Sequence, residues 1–125
     1  MSVSVKAVGK VRIIVADGAL TVGGRDSLAR PLDLEGKKVA DLGATLEELL
    51  AAGHTSVVLD LARVNFMDSA GIGELVSWRN ETAEHGGDLK LLKPTRRIRE
   101  LLDLTRLTPY FEIFDDEQAA TASFA

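Results

Sequence analysis

Val57-Val58-Leu59-Asp60-Leu61-Ala62-Arg63-Val64-Asn65-Phe66-Met67-Asp68-Ser69-Ala70-Gly71-Ile72-Gly73-Glu74-Leu75 is the stretch that decides the fold. Its first five residues are nearly continuous in apolar character, as a central strand covered on both faces requires. An Asp-Ser-Ala-Gly turn follows, and the pattern from about Ser69 to Glu84 predicts a helix that Gly86-Gly87 ends. The Ser69 hydroxyl is then expected at the positive end of that helix, where N–H groups lack partners and a phosphate finds a ready place. Taken alone, a serine at this position is most often an ordinary helix cap worth about 1 kcal/mol, and only the context of Ser69 favours phosphorylation over that.

Upstream, Val3 to Val8 alternates apolar and polar, Gly9-Lys10 supplies a turn, and Val11 to Ala16 is β-rich, which predicts an opening hairpin. Asp17-Gly18 reads as a second turn. Residues 21–37 show no sustained period and read as a long loop. Val39, Leu42, Leu46, Leu49 and Leu50 recur at helical spacing before a Gly53 stop. Downstream the pattern gives a strand at Leu89 to Leu92, a helix after Pro94 carrying Ile98, Leu101, Leu102 and Leu104, an edge strand at Tyr110 to Phe114, and a short helix from Asp116 to Phe124. Strands alternating with helices predict one α/β domain over residues 1–125. It has a mixed sheet of four to five strands, an antiparallel N-terminal hairpin and about four flanking helices.

The chain has 125 residues, 46% of them hydrophobic, which suits one core. Its net charge of -4 argues against nucleic acid and against an anionic membrane surface as partner. There is no cysteine, so neither a disulfide framework nor a thiolate nucleophile is available, in keeping with a cytoplasmic setting. No apolar run approaches the roughly 20 residues that span a bilayer, so membrane insertion is not expected.

With the Asn65-Phe66-Met67-Asp68-Ser69-Ala70-Gly71-Ile72-Gly73 run, the strand before it, Gly86-Gly87, and Leu101-Leu102 with Phe111-Glu112-Ile113-Phe114, the chain resembles the STAS domain. Within that family it is similar to the bacterial anti-sigma factor antagonists. The resemblance implies a phosphorylation-controlled binding module. The serine matching Ser69 is phosphorylated by an anti-sigma factor that is also a serine kinase, the unphosphorylated form holds that kinase, and a phosphatase restores it. Many members carry an acidic residue after a Gly-x-Leu near this serine; here Gly18-Ala19-Leu20 is followed by Thr21, which joins the expected partner surface. STAS domains also serve as scaffolds of stress-sensing complexes and as accessory parts of transporters, a rival reading without serine phosphorylation.

Asp68, Ser69, Ala70, Gly71, Gly73, Glu74, Ser77 and Trp78 complete the expected partner surface. Ile72, Leu75, Val76 and Ala83 are read as the core face of the helix, with Trp78 off that stripe, either an interface anchor or a residue under the long loop. Gly73 is read as a packing glycine and Gly71 as one that keeps the serine accessible. The Arg79 stem is expected to pack while its head reaches solvent. Asp60 reads as a structural acceptor, His54 and His85 as helix-end residues, and Arg96-Arg97-Arg99-Glu100 as a solvated helix face. No metal site or cofactor is predicted. Catalysis is not expected either: Met67 stands where a Gly-x-Ser-x-Gly elbow needs its first glycine, and no Gly-x-x-x-x-Gly-Lys-Ser/Thr loop is present.

Overall fold

A computed structural model describes residues 2–20 and 42–124. The loop expected at 21–37, with Thr21, and the first helical residue expected, Val39, lie outside the described residues.

Five strands form one sheet in the order β1-β2-β3-β4-β5: β1 (Ser2–Val8), β2 (Val11–Leu20), β3 (Ser56–Met67), β4 (Asp88–Leu92) and β5 (Ile113–Phe114). β1 and β2 make the antiparallel hairpin, and the remaining pairs are parallel. The intervening helices are α1 (Leu42–Ala51), α2 (Ser69–Glu84) and α3 (Arg96–Leu104), and α4 (Glu117–Ala122) follows β5. This is the mixed α/β architecture the pattern predicts.

Alternation along the strands sorts the apolar residues into two cores. Ile14, Ala16, Val57, Leu59, Leu89 and Leu91 join Leu46, Leu50, Leu75, Ile98 and Leu102 from α1, α2 and α3. On the other face Val11, Ile13, Val58 and Leu92 meet Ala120 of α4, with Val15, Phe114 and Phe124 at the margin.

Lys90, on that second face, has a side chain only 8% exposed. Its ammonium donates to Ser123 Oγ at 2.8 Å, pairs with Glu112 at 2.9 Å and lies 4.3 Å from the centroid of the Phe124 ring. Lys90 therefore fastens the C-terminal helix to the sheet. Lys90→Ala is expected to lower stability by about 2 kcal/mol in urea unfolding, through lost packing and hydrogen bonds. Lys90→Met should recover most of that loss, because an apolar side chain of similar size fills the place without needing ionic partners.

Three local expectations are corrected. Asp17-Gly18 is not a turn: β2 runs through it to Leu20, with register shifts against β3 at Val15/Asp17 and Gly18/Ala19. Gly18 sits at φ +121°, so the glycine serves a bulged strand. β3 runs to Met67 rather than ending at Leu61, since the extended β2 pairs with it there. In that extension Leu61, Val64 and Met67 are buried, one residue in three, which hides the strand period. The expected strand over Tyr110 to Phe114 is shortened to its last two residues. Thr108–Tyr110 forms a 3-10 turn, and Phe111, 5% exposed, points into the core.

Candidate functional site: the junction of β3 and α2

Asp68 rather than Ser69 caps α2. Its backbone is extended (φ -101°, ψ 178°), its Oδ1 accepts from the Gly71 N–H at 2.7 Å, and its carbonyl accepts from the Ile72 N–H at 3.0 Å. Such a cap contributes about 1 kcal/mol. Ser69 is thereby released from capping. It is the first helical residue, it is exposed, and its hydroxyl has no hydrogen-bond partner among the described residues. The remaining unpaired N–H groups of the first turn and the helix dipole favour an anion here.

The two glycines of the turn exchange their expected roles. A Cβ on Gly71 would stand 2.4 Å from the Leu20 carbonyl oxygen and 3.1 Å from Met67 Cγ, so Gly71 is the residue that lets the helix start press on the end of β2. Gly73 is exposed, and a Cβ there would meet nothing within 4 Å. The sequence could not separate them, because only the nonlocal contact with Leu20 does so.

Trp78 is also corrected. It is 8% exposed and belongs to the larger core, so it is no exposed anchor, and the other reading, a place under the long loop, concerns residues outside the described ones; Ala83, expected in the core, is exposed. The buried stripe runs Gly71, Ile72, Leu75, Trp78, Thr82, with Val76 at its margin. Thr82 disguises it: a polar residue occupies a fully buried position because its hydroxyl donates to the Trp78 carbonyl at 2.8 Å.

The exposed side of α2 carries Ala70, Gly73 and Ser77, with Glu74 partly buried. Gly73, Val76, Ser77, Asn80, Glu81 and Glu84 line a shallow groove along it. Arg79 lies at the edge of the stripe, 3.6 Å from Asp88 and with its guanidinium 4.6 Å from the centroid of the Tyr110 ring. One apolar residue that sequence reasoning left out stands beside the turn: Phe66, 43% exposed, opposite Ala19 in the ladder. Its sign was a large aromatic in a strand position that the one-in-three burial of the extension leaves outside. Asp60 accepts from the Ala62 N–H at 3.0 Å, a local structural role, and His85 Nδ1 lies 3.0 Å from the Glu81 carbonyl at the helix end.

A strand delivering a capped helix whose first residue is an exposed serine, on a parallel sheet opened by a hairpin, defines the class. The chain belongs to the STAS domain family, whose model matches residues 2–120. Relatives that it matches are named for a proposed role as anti-sigma factor antagonists. BtrV of Bordetella bronchiseptica is 28% identical over 83 residues, 66% of this chain and 72% of BtrV. A Thermotoga maritima protein is 29% identical over 69 residues, 55% of this chain, and the match spans 61% of that relative, under two thirds of its length.

The crystal structure of a Thermotoga maritima protein named for the same proposed role superposes with a TM-score of 0.75 at 24% identity, covering 98% of this chain and 93% of that one. SpoIIAA of Bacillus in its phosphorylated form superposes with a TM-score of 0.63 at 19% identity, covering 98% and 99%. Its unphosphorylated form gives 0.62 at 17%, covering 98% and 96%. At these identities the likeness is one of fold. No helix among the described residues is long and apolar enough to cross a membrane.

Proposed function

We propose that the chain is an anti-sigma factor antagonist, a binding switch that performs no reaction itself. Unphosphorylated, it holds an anti-sigma factor with serine kinase activity, and phosphorylation of Ser69 by that partner releases it. The observation that carries this reading is the state of Ser69: exposed, first in α2, and free of the capping duty that Asp68 performs. The names of the relatives and the existence of SpoIIAA structures in both phosphorylation states support it.

The partner surface consists of Asp68, Ser69, Ala70, Gly73, Glu74 and Ser77, extended by Phe66. A phosphate on Ser69 adds about -1.5 to -2 charges beside Asp68 and Glu74. The start of α2 tolerates that charge, because the helix dipole and the unpaired N–H groups favour it. A partner surface docked over the same turn does not, so the switch works by repulsion and bulk at the interface and leaves the fold of the antagonist in place. A phosphatase then regenerates the binding form.

The direct test is phosphoryl transfer. Incubated with ATP and each kinase-type anti-sigma factor encoded in its own host, the protein is expected to take up one phosphate from one of them, and Ser69→Ala none. Transfer to another residue, or equal transfer to Ser69→Ala, would refute the assignment.

A further inference from the structure

The segment 93–106 carries five cations, Lys93, Arg96, Arg97, Arg99 and Arg106, against two carboxylates, Glu100 and Asp103. The whole chain has 15 cations and 19 carboxylates, so this stretch is a basic island in an acidic protein. Part of the island is spent on structure. Arg96 pairs with Glu100 at 3.4 Å, Arg99 pairs with Asp115, and Asp103 accepts the Thr108 hydroxyl. Lys93, Arg97 and Arg106 are exposed and have no ion-pair partner among the described residues.

The backbone supplies an independent observation. Lys93 at φ +52° and Arg106 at φ +60° are the two non-glycine residues with positive φ among the described residues. Arg106 occupies the left-handed position of a Schellman motif at the end of α3. The Leu107 N–H donates to the Leu102 carbonyl at 2.8 Å, and the Arg106 N–H to the Asp103 carbonyl at 3.0 Å. Glycine is the favoured residue at that position, and a cation there is held against conformational preference. Two left-handed positions, both bearing cations without an ion-pair partner among the described residues, therefore bracket α3.

Between them stands Leu104, 80% exposed, two helical turns from Arg97 and so on the same side of α3. Isolated exposed leucines are ordinary, but this one shares its side of α3 with Arg97 and precedes Arg106 by two residues.

We infer that the exposed side of α3, with Arg97 and Leu104 two turns apart on it and Lys93 and Arg106 at its two ends, is a docking site for an acidic segment of a partner protein, whose apolar side chain seats against Leu104. Charge complementarity selects this occupant. A phospholipid surface or nucleic acid extends its negative charge over the acidic remainder of the chain and is repelled by it, whereas a short segment engages the island alone.

The probe is a synthetic peptide with glutamates at i and i+4 around a single leucine, titrated into the full chain and followed by amide chemical shifts. Shifts are expected within 93–107, with affinity falling as salt rises. Arg97→Glu is expected to weaken binding about tenfold. The decisive variant is Arg106→Gly, which should raise Tm by relieving the backbone while weakening the peptide severalfold. A raised Tm with unchanged affinity would overturn the inference. So would shifts centred on the Ser69 turn, absence of shifts at millimolar peptide, self-association through this face, or tighter binding to phosphatidylglycerol vesicles than to the peptide.

Discussion

Gly71→Ala is expected to destabilise the protein by about 2–3 kcal/mol, and Gly87→Ala by at least as much. At Gly71 the added carbon would stand 2.4 Å from the Leu20 carbonyl oxygen, and at Gly87 it would stand 1.9 Å from the Thr55 carbonyl oxygen. Both obstacles are backbone atoms, which cannot rotate away as a side-chain tip does, so strand or helix must shift, and overpacking of this kind costs about 1–3 kcal/mol or more. Gly73→Ala provides the contrast within the same turn. Nothing lies within 4 Å of its Cβ position, and replacing a helical glycine by alanine gains up to about 1 kcal/mol. Urea unfolding of the three variants checks the signs. Moving the start of α2 also displaces Ser69, so Gly71→Ala should weaken partner binding, while Gly73→Ala should do so only by bulk at the interface.

Ser69→Asp is expected to weaken binding to the anti-sigma partner by about 100-fold, equivalent to about 2.7 kcal/mol, with Tm nearly unchanged. A carboxylate in the first turn of a helix is locally favourable, so the fold does not suffer. The loss arises across the interface, where a second charge beside Asp68 must be desolvated without a partner. Ser69→Ala should bind as well as the unmodified protein and remain bound in the presence of ATP. Ser69→Asn, similar in size to Asp but neutral, separates charge from bulk. Binding near that of Ser69→Ala would identify charge as the cause. Calorimetry or surface-based binding with the purified pair gives all three values.

The β3–α2 junction was legible because two local signals coincide there: an apolar run ended by Asp68-Ser69, and a helix pattern ended by Gly86-Gly87. The pattern predicts a helix from about Ser69 to Glu84, and α2 has those bounds. What the chain concealed is nonlocal. The continuation of β2 through Asp17-Gly18 depends on pairing with the far half of β3, and a bulged Asp-Gly looks like a turn when its neighbour strand is unknown. Hydrophobic spacing leaves Trp78 off the buried stripe because Thr82, a polar residue, completes that stripe by hydrogen bonding back to the helix. The roles of Gly71 and Gly73 were exchanged because helical spacing is silent about which glycine meets Leu20. Within the candidate site, the position of Ser69 is readable, whereas the cap at Asp68 and the exposure of Phe66 follow from backbone geometry and strand burial that the residue pattern does not display. Arg106 illustrates the reverse case: its charge is plain in the sequence, and its left-handed backbone is not.

The most direct measurement is the intact mass of the protein isolated from its native host, before and after phosphatase treatment, with peptide mapping of any modified residue. A fraction heavier by one phosphate, removed by the phosphatase and mapped to Ser69, is expected. A single unmodified mass across several growth conditions, or a phosphate mapped to any other residue, would contradict it.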